Sequence, residues 1–441
     1  FFKGIQTYLY RYQGQVVNTE MFRKVMEEVA VKDLYWFFDQ WVMKPGYPHF
    51  LIDYAWDMHT KEVVLTVKQT QDLNQPGGIP GSTPLFEGPI DVEVAGKLFH
   101  INLYGKNAAV PGTEIFRLAS EKIPDYVKFN SGAGWLAKID LKQTELSWIT
   151  QLKKSTDVSA RVEASRVLSQ GKWMGFESSK EYRPAADALI VCANTDVEIW
   201  ARASCTKDMA DLVRSALAAG LSSRDDMLVR LRETLVALTS DQEWSIRDEA
   251  VKVLGTLPPP QALQVISTLQ GVIRRAQSTV SEVASAIQAL GRVCSFLADA
   301  SKEAYENNYG FILAQVARSS FQDKIREAAL GALTTIGDFR SLPVGEEFST
   351  SRYSETTRKS AYHLIGTVGA KLKDETRDQA RAILENALLE PNYALRKSAI
   401  SALLTLGDPK AIPALEKSAQ SDVDDRIRRA AREAIKKLKG K

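Results

Sequence analysis

The sequence predicts a multidomain, mainly α chain: a short helical segment, an antiparallel β-sandwich, then an α-solenoid built of helix pairs. Three observations predict it. Apolar residues recur at helical spacing up to Trp41, the period drops to two between Phe50 and about Asn130, and from about Leu141 a pattern of small and bulky residues returns every 32 to 45 positions. The predicted boundaries are 1–46 for the opening helices, 47–140 for the sandwich and 141–441 for the solenoid.

Length and composition agree with that division. A chain of 441 residues exceeds a single ordinary core, and 44% apolar with 25% charged residues is the composition of a globular protein. No apolar run approaches the ~20 residues that would cross a bilayer, so no membrane span is expected. The 57 basic and 54 acidic residues leave a net charge of +3, too little to draw the whole molecule to nucleic acid or an anionic membrane. The chain opens Phe1-Phe2-Lys3-Gly4-Ile5, without methionine and already in helix-like sequence, and the expectation is that polypeptide precedes it.

In the opening segment Ile5, Leu9 and Tyr12 share one helix face. A second helix is predicted from Thr19, whose hydroxyl would cap it, through Phe22, Val25, Met26 and Val29. A third would place Leu34, Phe37, Phe38 and Trp41 at the i, i+3, i+4, i+7 positions of one packed stripe. If Trp41 is fully buried there, Trp41→Ala would cost about 3–5 kcal/mol. Pro45 then pushes Lys44 out of helical geometry, Gly46 permits a sharp turn, and Pro48 discourages a return to helix.

The sandwich is read from alternation. Residues 50–57 (FLIDYAWD) and 62–70 (EVVLTVKQT) are rich in β-branched and aromatic side chains, and 90–104 (IDVEVAGKLFHINLY) reads as a hairpin turning at Ala95-Gly96. Residues 114–119 and 126–130 are shorter strands, and Asn74 to Pro84 is a Pro/Gly-rich excursion.

The solenoid is read from a register at Arg161, Arg202, Arg247, Val283, Arg326, Arg358, Arg396 and Arg428. Three residues on lie Ala164, Cys205, Ala250, Ala286, Ala329, Ala361, Ala399 and Ala431; seven on lie Leu168, Met209, Leu254, Leu290, Leu333, Ile365, Leu403 and Ile435. Both offsets fall on one helix face, so the small residue admits a neighbouring helix and the bulky one fills the seam. The repeat length suits two helices and their turns, an array of HEAT type. Asp157, Ser354, Asn392 and Asp424 are predicted N-caps, and Gly171, Gly337, Gly369 and Gly407 predicted left-handed C-caps. An irregular stretch, 171–184, interrupts the array after its first unit.

Catalytic chemistry is sparse. His49, His59, His100 and His363 belong to no H-E-x-x-H pattern, and there is no G-x-S-x-G, P-loop or dinucleotide fingerprint, so the sequence offers no catalytic, cofactor-binding or metal-ligating residue. Cys192, Cys205 and Cys294 lack C-x-x-C spacing, and buried thiols are expected rather than a disulfide. The register arginines are expected to lay their stems over helices and pair with a carboxylate or carbonyl of the adjacent repeat, rather than to form an anion-binding ladder. The last helix carries eight basic and two acidic residues from Asp425 onward, and a solvated cap is preferred to a nucleic-acid site.

The first fifty residues carry a resemblance. Gly4, Ile5, Tyr8, Leu9, Tyr12, Thr19, Phe37, Phe38, Trp41, Pro45, Gly46, Tyr47 and Pro48 match the pattern G-[IL]-x-x-Y-L-x-x-Y, a Thr-led helix, then F-F-x-x-W-x-x-x-P-G-Y-P. It resembles the segment that follows the catalytic centre in zinc aminopeptidases of the aminopeptidase N (gluzincin) family. The order of sandwich and helical repeats is similar to that family over essentially the whole chain. The resemblance implies a noncatalytic C-terminal portion. Zinc, its ligands and the catalytic glutamate would lie in a missing N-terminal catalytic domain, which would be the partner of this chain. The parent would remove N-terminal residues from peptides, and the solenoid would wall the cleft and limit which peptides enter. The alternative is a catalytically inactive relative, or a scaffold whose solenoid binds protein partners.

Overall fold

The structure, a computed structural model, describes residues 1–71, 81–94, 96–174, 181–297, 301–318 and 322–440, and the chain divides into two compact units, Phe1–Ala188 and Leu189–Lys441. It is mainly helical, with a sheet region in the first unit and a solenoid of stacked helices in the second.

The first unit begins with helices α1 (Phe2–Arg11), α2 (Thr19–Ala30) and α3 (Tyr35–Phe38), the last passing into a π-helical turn, Asp39–Met43. Tyr8, Phe22 and Phe38 form the aromatic contact between them, with ring centroids 5.0 Å and 6.0 Å apart. The cap of α2 is not Thr19: Asn18 accepts the Met21 N–H at 3.0 Å and Thr19 is the first helical residue. The stripe expected from Leu34 to Trp41 is also only partly formed. The α-helical period ends at Phe38, so the face turns: Phe38 is buried, Trp41 half-buried and Phe37 41% exposed. The cost attached to full burial of Trp41 therefore does not apply.

Two sheets follow. Strands β1 (His49–Asp57), β2 (Glu62–Gln69), β5 (Thr113–Ala119) and β7 (Lys138–Leu141) run in the order β5-β2-β1-β7; β3 (Gly88–Val94), β4 (Lys97–Leu103) and β6 (Val127–Phe129) run in the order β4-β3-β6. Alternation along each strand buries Phe50, Ile52, Val63, Leu65, Ile90, Val92, Val127 and Phe129, and the Phe50 and Phe129 rings meet at 5.2 Å between the sheets. Among the described strands all pairings are antiparallel except one. β7 lies parallel to β1, with Phe50 opposite Ile139, and it was not foreseen because four residues carry too little alternation to register. Residues 74–80 of the Pro/Gly-rich excursion, and Ala95 of the hairpin turn, lie outside the described residues.

Helices α4 (Glu145–Lys154) and α5 (Val158–Gln170) complete this unit, and a buried Lys128–Glu163 ion pair at 2.5 Å ties β6 to α5. Helix α6 (Arg183–Thr195) contains the point where the units divide. Of the irregular stretch before it, 175–180 lie outside the described residues.

The second unit continues with α7 (Ile199–Ala218), α8 (Asp226–Leu238), α9 (Trp244–Leu254), α10 (Ile266–Arg274), α11 (Val280–Leu297), α12 (Lys302–Arg318) and α13 (Asp323–Ile336). It ends with α14 (Leu342–Phe348), α15 (Glu355–Gly369), α16 (Asp374–Asn386), α17 (Tyr393–Leu406), α18 (Ile412–Ser421) and α19 (Asp425–Lys439). Helices α7, α9, α11, α13, α15, α17 and α19 stack in sequence as one layer, and each register residue from Arg202 onward lies in the first turn of one of them, while Arg161 lies in the first turn of α5. The register works as packing: every residue at the third offset is fully buried, and so is every one at the seventh except Ile435 in α19, which is half-buried. Close approach uses more than alanine. A Cβ on Gly291 of α11 would lie 2.6 Å from the Cβ of Ala332 in α13.

The four predicted N-caps each accept a backbone N–H. Gly171, Gly337 and Gly407 are left-handed C-caps, with φ of 65° to 67°. Gly369 is not; it ends α15 inside the helix, where a Cβ would come 2.7 Å from Leu406 Cδ1, so it serves close packing. The cysteine expectation is corrected too. Cys192 of α6 and Cys205 of α7 form a disulfide, because two antiparallel helices joined by a short turn bring positions thirteen residues apart face to face. Cys294 is the buried thiol, pushed up to about 12 by burial and by Asp338 and Glu306.

Candidate functional site

Two places carry side-chain arrangements beyond simple core. The first is the joint within the first unit, where Lys44 is extended before Pro45 and Gly46 takes φ +100°. The π-helical turn is fastened to the sheet region by Gln40, whose amide donates to the Glu87 carbonyl at 2.8 Å and accepts the Glu87 N–H at 3.1 Å. Its backbone carbonyl takes the Thr83 hydroxyl at 3.1 Å. Gln69, the last residue of β2, repeats the device, donating to Phe86 O at 2.7 Å and accepting Phe86 N–H at 2.8 Å. Each glutamine amide thus substitutes for a strand neighbour, and neither was singled out from sequence.

Beside Gln40 an apolar cleft of about 350 Å³ is lined by Trp36, Phe37, Trp41, Pro89, Gly134, Trp135 and Leu136. The Trp41 ring lies 4.8 Å from Phe86 and 5.3 Å from Trp135. Trp135 is held by its indole N–H on Pro89 O at 2.7 Å and by a reciprocal pair of bonds with Asn130. Gly88, with φ +133°, is required here, since a Cβ would sit 2.9 Å from the Trp36 ring. None of the lining residues titrates, so the cleft can hold an apolar group but cannot move a proton.

The second place is the line of register arginines. Arg396 bonds Asp422 through Nε at 2.9 Å and Nη2 at 3.1 Å, and Nη1 donates to the carbonyls of Glu390 and Pro391, both at 2.9 Å. Arg428 Nη1 donates to Asp422 O at 2.6 Å, and Arg358 pairs with Glu390. The same links recur earlier: Arg202 pairs with Asp241, Arg247 donates to Asp241 O at 2.8 Å and pairs with Glu282 at 2.6 Å. One acidic residue six positions before an arginine therefore serves two repeats, its side chain bonding the previous arginine and its carbonyl the next. Asp241, Glu390 and Asp422 hold this place, a signal that was present in the sequence and not used. The guanidinia are occupied as the structural reading expected, and they form no open anion ladder.

The histidines stay apart. His49 opens β1, where burial and Lys138 lower its pKa; His59 is in the turn after β1; His100 on β4 bonds Asp91 at 2.6 Å; His363 is exposed on α15. Among the described residues no group of three His, Cys, Asp or Glu side chains is placed to hold a metal ion, so no step is derived through zinc on this chain. No described helix is long and apolar enough to cross a membrane. On α19, Arg426 pairs with Asp424 at 2.7 Å, Arg428 and Arg429 with Asp425, and Lys439 with Glu416 at 3.2 Å, while Arg432 donates to the Ala419 carbonyl and Lys436 and Lys437 enter no ion pair among the described residues.

Comparison with known proteins adds a local repeat match and a likeness of fold. The HEAT repeat family matches residues 350–436, which covers α15 to α19. Legionella pneumophila aminopeptidase A, solved in complex with aspartic acid, superposes with a TM-score of 0.59 at 11% identity over 99% of this chain. This chain covers 54% of that one, so it spans about half the length of the aminopeptidase, and the likeness is one of fold. The CpcE–CpcF complex of phycocyanin lyase from Nostoc matches at 19% identity over 39% of this chain and 98% of its own, with a TM-score of 0.32 that carries no argument. No curated protein matches.

Proposed function

We propose that the chain is the noncatalytic C-terminal part of a zinc-dependent aminopeptidase of the aminopeptidase N type. Residues 1–46 would close the catalytic domain, 47–140 form the sandwich, and 141–441 wall the cleft and limit which peptides reach it. The observation that carries this reading is coverage: 99% of this chain follows the fold of 54% of an aminopeptidase. The opening helices add support. Phe1, Phe2, Leu9 and Tyr10 are between 62% and 87% exposed, an apolar surface of the kind a neighbouring domain covers. Zinc and its ligands are assigned to preceding polypeptide.

The test is to express the reading frame extended upstream by one or two domain lengths, roughly 150–350 residues, and to measure bound zinc and release of p-nitroaniline from aminoacyl anilides. Hydrolysis by the longer protein and none by the 441-residue chain is the expected result. An upstream sequence without H-E-x-x-H defeats the enzymatic reading. The second reading, a HEAT-repeat scaffold that binds protein partners, is favoured by the family match at 350–436 and would then stand.

A further inference from the structure

Two repeats of the second unit break local rules in the same place. Before α15, α17 and α19 the N-cap residue is Ser354, Asn392 or Asp424, and each accepts a backbone N–H of its helix. Before α7 and α9 that position is Glu198 and Glu243, and neither makes a cap bond, a lack they share with Gln322 before α13. A glutamate carries its carboxylate one methylene too far for the cap, so these helices give up a stabilising contact. The same two helices place tryptophan in their first turn, facing water: Trp200 is 78% exposed and Trp244 54%. Val197, 90% exposed, and Ile199, 42% exposed, extend the apolar area.

The two turns are neighbours. Arg202 at the start of α7 pairs with Asp241 in the turn before α9, and the two helices pack together. Both turns have one geometry, because Asp196 and Asp241 each accept the N–H of the glutamate two residues on, at 2.9 Å. The cations beside them are engaged: Arg202 by Asp241 and Ala193 O, Arg247 by Glu282 and two carbonyls, Arg275 by Thr239 O and Ser240. Among the described residues neither Glu198 nor Glu243 enters an ion pair; Glu243 is half-buried and acts on Arg247 only through space, while Glu198 is exposed, so the edge keeps an excess of acidic charge among exposed indoles.

We propose that this edge, formed by the turns before α7 and α9, is a docking site for a cationic protein segment that carries bulky apolar side chains. Lysine or arginine heads would meet Glu198 and Glu243 and the indole faces, and aliphatic groups would cover Val197, Ile199 and Trp200. An anionic membrane is disfavoured by the same charge, since interfacial tryptophans hold a lipid surface when cations stand beside them.

The test uses the 441-residue chain and a fluorescein-labelled peptide of alternating lysine and leucine, read by anisotropy at low and moderate salt. Expected are saturable binding that weakens with salt and a loss of roughly tenfold or more in affinity in Trp200→Ser/Trp244→Ser. Glu198→Gln/Glu243→Gln should lose a similar factor and most of the salt dependence. Trp200, Trp244 and Glu198 are exposed and Glu243 is half-buried, and unchanged circular dichroism melting confirms that the fold is kept. Equal binding by either double variant, equal binding of a lysine–serine peptide, recruitment to phosphatidylserine vesicles instead of the peptide, or self-association through this edge would each overturn the proposal.

Discussion

Gln69 in the sheet region and Arg396 in the helical array do the same physical task, satisfying main-chain groups that neighbouring backbone leaves open. Gln69 does it for Phe86 and Gln40 for Glu87, at sequence separations of 17 and 47 that set up no period. Arg396 does it for Glu390 and Pro391 as one link in a series, with Arg247 and Arg428 making equivalent bonds. A contact made once leaves no trace in the pattern of residues. A contact made repeatedly becomes a period, and that difference decides which half of the molecule is readable.

The comparison can be broken experimentally. Replacing Arg396 with Met strands the Asp422 carboxylate, only 8% exposed, and takes a donor from two carbonyls. The expected loss is about 3–5 kcal/mol in urea unfolding; a loss below about 1 kcal/mol would show the series to be decoration. Gln69→Ala orphans the Phe86 N–H and C=O, at about 1–3 kcal/mol each, and should leave the helical unit's melting unchanged. Gly291→Ala drives a methyl to 2.6 Å from Ala332 and is expected to cost about 1–3 kcal/mol. If it is tolerated, the stacked layer is looser than its burial implies.

The smallest effect is on pH. Burial works against ionisation of Asp338, but hydrogen bonds from Arg340 and Tyr305 outweigh it and hold the carboxyl down to about 2. A depressed carboxylate stabilises the fold fully above its unfolded value of about 3.9 and loses that contribution as pH falls toward 2. Asp338→Asn should therefore flatten the decline of stability between about pH 4 and pH 2, measured by urea unfolding at each pH.

What was legible follows the same division. The third and seventh offsets were read from sequence and nearly all are buried; the acid at the sixth position before the arginine recurs at only four of the eight register positions, Asp196, Asp241, Glu390 and Asp422, and was overlooked. In the joint, the Pro45-Gly46 turn was readable because proline and glycine restrict backbone directly. The cleft was not, because Trp36 and Trp41 meet Pro89 and Trp135 only after the chain has passed through several strands. The π-helical turn after Phe38 defeated the helical spacing that Leu34 to Trp41 suggested, since five residues there advance the side chains differently from an α-helix. Cys192 and Cys205 escaped because a disulfide between helices depends on how two faces meet, which spacing alone does not state.

Asp422 shares itself between Arg396 and Arg428, and Asp241 between Arg202 and Arg247. Glu390 joins Arg358 to Arg396 in the same way. At these three junctions one residue is both the hook for the unit behind and the eye for the unit ahead, so a cut between the acid and its arginine leaves a charge dangling, whereas a cut elsewhere in the unit does not. The units are coupled at those points like railway carriages, and it is there that a change in the length of the array would be felt.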